Sequence, residues 1–227
     1  MKEHDPFVYL AAHDLRAPLM SVKGLLYLMK LDSERKNLES YFSLLELSVD
    51  KMNQSITDII AYSKKGTTTF IPHEVNFRKI AEESIQSLRY MAGAESVRID
   101  LSVEEGGLFF SDYTCLFSVY SNLLSNAIRY RDTNKQSFLK ISVTFNSDGA
   151  QTIFEYNGIG IDLSLQERVF DKFFRANEEN GGSGLGLYMV KRSMEKLGGS
   201  IRINSTVGEG TKFILHQPNF FVRTDQF

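Results

Sequence analysis

The sequence is short of several things, and each shortage removes a class of protein. It has one cysteine among 227 residues. A single thiol excludes an intramolecular disulfide framework and fits a reducing compartment. Cys115 lies in Tyr113-Thr114-Cys115-Leu116-Phe117, where a packing thiol is the plainer reading and a reactive one the alternative. No apolar run approaches the roughly 20 residues that span a bilayer, and no signal-peptide pattern opens the chain. The expectation is a soluble, cytoplasmic segment with no membrane contact of its own, leaving open a membrane anchor elsewhere in a longer parent protein. Charge of one sign is missing too, since 26 Lys and Arg face 28 Asp and Glu. That balance argues against nucleic acid as a partner, and the lack of an acidic run argues against disorder. There is no internal repeat and no low-complexity tract.

What is present begins with two heptad stripes. Val8, Ala12, Leu15, Leu19, Val22, Leu26 and Met29 are spaced 4,3,4,3,4,3, and so are Leu38, Phe42, Leu45, Val49, Met52, Ile56 and Ile59. Such seams need a partner helix. The short polar link Leu31–Asn37 makes them an antiparallel hairpin, and two helices bury little, so dimerisation into a four-helix bundle is the economical solution. The hairpin fades into Ser63-Lys64-Lys65-Gly66-Thr67-Thr68-Thr69. We read residues 1–66 as this first domain, 63–70 as the linker and 67–227 as the second.

The second domain alternates in type. Helices are expected from Asn76 to about Met91, from an Asp112 cap through Arg129, and from about Gly184 to Leu197. Strands are expected over Ser96–Val103, Leu108–Phe110, Phe138–Phe145, Gln151–Tyr156, Gly199–Ser205 and Thr211–Gln217. Helices mixed with antiparallel hairpins give an α+β class, with helices on one face of a sheet. The tail 218–227 shows no readable pattern.

Four segments could carry chemistry, each with a plainer alternative. On the first helix His13 falls outside the seam, so its imidazole should face solvent as a nucleophile, with Asp14 positioned to orient it. Pro18 cannot donate to the carbonyl of Asp14, a loss worth about 3 kcal/mol, and should loosen the helix there. The alternative is one histidine on a solvated helix face. Asn122 and Asn126 share a helix face and could help hold Mg²⁺, while Arg129 one turn on could meet a phosphate. Otherwise they are exposed amides. Asn157-Gly158-Ile159-Gly160-Ile161 suits a nucleobase wall or a tight turn. Gly182-Ser183-Gly184-Leu185-Gly186-Leu187 opens a helix and offers N–H groups to an anion, or is only a turn. Between them, Phe170-Asp171-Lys172-Phe173-Phe174-Arg175 has the composition of a lid, or of core.

Taken together, these segments resemble the transmitter portion of a two-component sensor histidine kinase. The H-box resembles His13 to Leu19, the N-box Asn122 to Asn126 with Arg129-Tyr130, and the first glycine box Asn157–Ile161. The F-box resembles Phe170–Phe174 and the second glycine box Gly182–Leu187, all in the family's order. The resemblance implies a dimerisation and histidine-phosphotransfer hairpin, followed by an ATP-binding sandwich of the gyrase–Hsp90–histidine kinase type. It implies ATP and Mg²⁺ as cofactors, with Asn126 and Asn122 at the metal and Arg129 and Arg175 near phosphate. Tyr130, Tyr156, Asn157, Gly158, Gly160, Ile161, Phe170, Phe173 and the Gly182–Leu187 loop would surround the nucleotide. His13, activated by Asp14, would attack the γ-phosphoryl in line. A homodimer, a response-regulator receiver domain and an upstream sensor absent from this chain are the implied partners.

Two departures qualify the resemblance. Tyr156 stands where the family has an Asp that accepts the adenine amino group. Losing a buried charged hydrogen bond costs about 2–3 kcal/mol, or roughly 30- to 150-fold in affinity. That motivates an alternative, a nucleotide-impaired scaffold or phosphotransfer module. Ala17 stands where many members carry Thr or Asn for phosphatase action, so weak dephosphorylation of the partner is expected. A gyrase- or Hsp90-type ATPase ranks last, because Asn122 stands where those relatives carry a catalytic Glu.

Overall fold

The structure, a computed structural model, describes residues 6–32, 37–63, 72–176 and 184–220. The chain divides into two compact units, one built on Met1–Thr67 and the other on Thr68–Asn180 and Gly184–Phe227. Among the described residues, no helix is long and apolar enough to cross a membrane.

The first unit is a helical hairpin of α1 (Pro6–Leu31) and α2 (Leu38–Ser63). Its link is closed by the Asp32 carboxylate, which accepts Asn37 N–H at 3.2 Å. The heptad stripes divide between two jobs. Leu15, Val22 and Met29 of α1 and Leu38, Leu45 and Met52 of α2 are half-buried within the hairpin. Their stripe neighbours stay outside: Leu19 is 55% exposed, Leu26 48%, Phe42 54%, Val49 43% and Ile56 44%. The seam that looked single in sequence is two adjacent ones, offset by half a heptad. Pro18 lies inside α1, which runs unbroken through it, and it is buried, as is Ser48. The Ser48 hydroxyl is satisfied locally, donating to Leu44 O at 2.8 Å.

The second unit is a five-stranded sheet with three helices on one face. Its strands are β2 (Val97–Val103), β4 (Ser137–Asn146), β5 (Gly149–Tyr156), β6 (Ser200–Thr206) and β7 (Gly210–Gln217), in the order β2-β4-β5-β7-β6. All neighbours are antiparallel except β2 and β4, which are parallel. A parallel pair needs a long crossover, here supplied by α4 (Tyr113–Arg129) between them. The other helices are α3 (Phe77–Ser87) and α5 (Gly186–Lys196).

Period-two alternation sorts the sheet's faces. Leu139, Ile141 and Val143 of β4, Thr152, Phe154 and Tyr156 of β5, and Thr211, Phe213 and Leu215 of β7 point into the core. They meet Leu116, Val119, Tyr120, Leu123, Leu124, Ala127 and Ile128 of α4, all buried. Each large apolar side chain removed from water contributes about 1.5–3 kcal/mol. Tyr120 packs edge-on against Phe154 with centroids 4.9 Å apart, and its hydroxyl meets Thr152 Oγ1 at 3.1 Å. The opposite face carries the cross-strand row Asp100, Lys140, Glu155, Lys212, whose charges alternate in sign; Lys212 and Glu155 are 3.0 Å apart.

A second, small sheet pairs β1 (His73–Glu74) with β3 (Phe110–Ser111). The start of the tail continues it: Asn219 Oδ1 accepts Phe110 N–H at 3.0 Å and its Nδ2 donates to Leu108 O at 2.8 Å. The tail thus has a structural role that its composition did not announce.

Candidate functional site

Helix α4 is set by its two ends. At the N-terminus the Asp112 carboxylate caps it, accepting Cys115 N–H at 3.0 Å, with Lys196 Nζ 3.2 Å away. Burial alone would raise the Asp112 carboxyl, but the Cys115 N–H and the Lys196 ammonium outweigh it and hold it below its ordinary value. Cys115 is half-buried, and burial pushes its thiol up to about 11, so it stays protonated at neutral pH. That fits a packing thiol.

Because the core takes the helix face running through Tyr120, Leu124 and Ile128, the i, i+4, i+7 positions Asn122, Asn126 and Arg129 share the opposite, half-buried face. Asn122 Nδ2 donates to Ser118 O at 2.8 Å, leaving its Oδ1 facing Gly186 at the start of α5. A methyl on Gly186 would lie 2.9 Å from that oxygen. Two segments 64 residues apart in sequence are thereby brought together. Asn126 and Arg129 make no side-chain hydrogen bond or ion pair among the described residues. A half-buried amide and guanidinium without partners, on the same helix face as the Asn122 oxygen that meets the start of α5, form a donor and acceptor set of the kind that suits a phosphate with its cation.

The first glycine segment is shaped by the chain's own backbone. A methyl on Gly158 would lie 2.3 Å from Tyr130 O, where α4 ends, and Ile159 N–H donates to that carbonyl at 3.0 Å. Gly160 has φ +73°, and a methyl there would lie 2.0 Å from Thr206 O. The tight-turn reading of these glycines therefore holds. Asn157 is spent on the start of β4, accepting Phe138 N–H at 2.8 Å and donating to Gln136 O at 2.9 Å. Ile161 is half-buried, and its N–H donates to Ser205 Oγ at 2.8 Å. Tyr156 is buried with its ring 6.5 Å from that of Phe213, and burial drives its phenol pKa upward.

The ends of the expected lid are joined. Phe173 N–H donates to Gly184 O at 3.0 Å. Phe173 is the one non-glycine with positive φ (63°) among the described residues, and Gly184 has φ +68°. Phe170 is buried, while Phe173, Phe174 and Arg175 are half-buried. Cations sit over the rings nearby: Arg168 over Phe174 at 4.4 Å and Lys191 over Phe170 at 6.0 Å. Leu185 is buried and Leu187 packs against the core. Gly182 and Ser183 lie outside the described residues, as do the side chains of His13, Asp14 and Ala17, although α1 carries those three.

Sequence reasoning missed Thr211, Ser205 and Gln166 behind the glycine segment. Gln166 Nε2 donates to Ile161 O at 3.1 Å and to Ser205 O at 2.7 Å, bracing that loop from below. It also missed Lys135, whose ammonium donates to Gly208 O in the β6–β7 turn. Only tertiary register brings these groups together, and no local motif signals them.

A mixed sheet covered on one face by helices sets a glycine segment at the end of the helix that carries Asn122, Asn126 and Arg129. Residues 111–220 match the family of histidine kinase-, DNA gyrase B- and HSP90-like ATPases. Residues 5–68 match the His Kinase A (phospho-acceptor) domain. With these two domains in this order, the chain belongs to the two-component sensor histidine kinases and spans their transmitter region.

Similar proteins agree. The chain is 29% identical over 223 residues to the methanogenesis regulatory histidine kinase FilI of Methanothrix harundinacea, covering 95% of this chain and 25% of that protein. It is 29% identical over 211 residues to the signal transduction histidine-protein kinase AtoS of Escherichia coli, covering 91% and 33%. It thus spans a quarter to a third of those relatives. Among solved structures, histidine kinase ThkA in complex with response regulator TrrA superposes with a TM-score of 0.74 at 21% identity, covering 96% of this chain and 63% of that one.

Proposed function

We propose that this chain phosphorylates itself on His13 from ATP and passes the phosphoryl group to an aspartate of a response-regulator receiver domain. The observation that supports it most is the partnerless pair Asn126 and Arg129 on α4, one and two turns beyond the Asn122 whose Oδ1 faces the start of α5, in a chain whose first domain belongs to the phospho-acceptor family. Asn126, with Asn122 Oδ1, would hold Mg²⁺, which neutralises phosphate charge when bound. Arg129, Arg175 and the Gly184–Leu187 backbone would hold the phosphates, and Tyr130, Tyr156, Gly158, Gly160 and Ile161 the base end. Asn157 contributes by fixing the strand ends around them. Asp14 would orient the imidazole of His13, so that positioning and charge neutralisation do most of the catalysis.

The exposed stripe of Leu19, Leu26, Phe42, Val49 and Ile56 is the surface through which two copies would complete a four-helix bundle. ThkA, solved with its response regulator, offers a likeness for the receiver partner. A sensor would precede this segment in a longer protein. No observation favours the scaffold alternative. Incubation with γ-labelled ATP and Mg²⁺ should label the wild type on a group that is labile in acid, and leave His13→Ala unlabelled. An unlabelled wild type, or a labelled His13→Ala, overturns the proposal.

A further inference from the structure

The chain from Asn157 to Phe170 joins the first glycine segment to the root of the expected lid, and one buried amide fastens it. Two short helical turns, Leu163–Leu165 and Arg168–Phe170, fill much of that length. Gln166 stands between them, 7% exposed, and reaches back along the chain. Its amide nitrogen has two protons and both are used, one on Ile161 O at 3.1 Å and one on Ser205 O at 2.7 Å. Ile161 is held on its other side too, its N–H donating to Ser205 Oγ at 2.8 Å. Among the described residues, Ile161 O has no partner besides Gln166. Four residues beyond Gln166, Phe170 packs edge-on against Phe213 with centroids 6.5 Å apart. Three residues further, Phe173 meets Gly184.

A side chain that only filled this space would be apolar, since Val169 and Phe170 are buried nearby in the chain and a buried amide costs free energy unless its donors are met. What the amide does that a leucine cannot is hold two carbonyl oxygens at once. One belongs to the glycine segment, the other to the edge strand β6.

We infer that Gln166 is a positioning residue for nucleotide binding. It spends both donors on the chain itself, and by tying Ile161 to Ser205 it fixes the glycine segment and the root of the lid before a nucleotide arrives. The inference rests on the nucleotide reading above. A segment already held in place loses little freedom when a ligand binds, so less of the interaction is offset by ordering. Loss of the tie should therefore weaken binding and spare the rate at saturation, because His13, Asn126 and Arg129 stand on other elements.

Calorimetric titration of the whole chain with a non-hydrolysable ATP analogue and Mg²⁺, well below the melting temperature, tests it. Gln166→Leu keeps the bulk and removes both donors. It should weaken the analogue about five- to tenfold, while autophosphorylation at saturating ATP falls by less than about twofold. Gln166→Glu keeps the shape but turns a carboxylate toward two carbonyl oxygens. Burial and those oxygens disfavour its charged form, so its pKa is raised, and protonation returns one donor. Its affinity, taken as a ratio to wild type at each pH so that titration of the nucleotide cancels, should be low near about pH 8 and recover toward about pH 6. A residue that only fills space would lower the melting temperature of Gln166→Leu with affinity unchanged, and leave the Gln166→Glu ratio flat with pH. Either result overturns the inference, as does a saturated rate that falls as far as the affinity. If Gln166→Leu does not fold, the pH dependence of Gln166→Glu decides alone. If wild type binds no analogue, the nucleotide reading falls and the inference with it.

Discussion

The two units differ in where their apolar surface ends up. In the second, strands and helices close on each other, and Phe154, Phe213, Tyr120 and Met194 are almost wholly removed from water. In the first, half of each heptad stripe packs inside the hairpin while Leu19, Leu26, Phe42, Val49 and Ile56 face outward. One unit closes its apolar surface within the chain; the hairpin leaves an apolar stripe open, the stripe proposed above to meet a second copy. The two can therefore be perturbed separately, and experiments can exploit that.

The largest effect should come from Phe42→Asp with Val49→Asp, which places charges on the outward stripe. Light scattering should report a monomer in place of a dimer, and circular dichroism a loss of hairpin helix with the sheet signal retained. A variant that stays dimeric would break the comparison. Next comes Phe154→Ala in the closed core, expected to cost about 3–5 kcal/mol. Denaturant melts should show the second unit's transition displaced and the hairpin's dimerisation constant unchanged. Gly160→Ala is smaller, about 2 kcal/mol or more, because positive φ and the nearby Thr206 carbonyl both oppose a methyl. Gly208→Ala, at φ +77° but in open space, should cost only about 1 kcal/mol. Equal thermal shifts for the two would show that the carbonyl contact contributes nothing.

The smallest effect should be Asp112→Asn at the α4 cap, about 0.5 kcal/mol near neutral pH, because Asn caps about as well and only the charge facing Lys196 and the helix end is lost. The folded carboxyl titrates below its ordinary value of 3.8. Its stabilisation is therefore complete above that value and lost as pH falls through the lower, folded one. Melting temperatures of wild type and variant should thus differ at pH 7 and converge below about pH 4. A difference that persists or grows in acid contradicts the cap's electrostatic role.

Much of this was legible in the residues because local patterns carry it. The 4,3 spacing announced the hairpin, and Asp112 announced the start of α4, since a cap and its helix are neighbours in sequence. The motif order announced the nucleotide-binding fold and the family. What escaped depends on partners far away. The heptads do not say which half of a seam packs within one chain, because both halves have the same period. Alternation in β2 and β4 marks their buried faces but not that they run parallel. β1 has two residues, too few for any period. Helix α5 starts at Gly186, two residues later than expected, because Gly184 takes a left-handed conformation to meet Phe173. The hydroxyl pair of Thr211 and Ser205 joins β7 to β6 and exists only through their register.

Asn219 also has a consequence in time. It closes the small sheet by bonding the backbone of Leu108 and Phe110, 111 and 109 residues earlier in the chain than itself. During synthesis, when chains emerge at about 5–20 residues per second, β3 must wait for that partner until almost the whole domain has been made. β3 leads directly into the Asp112 cap of α4. The run-in to the helix carrying Asn122, Asn126 and Arg129 can pair with β1 early, but its fastening by Asn219 comes only after every strand of the large sheet has been synthesised.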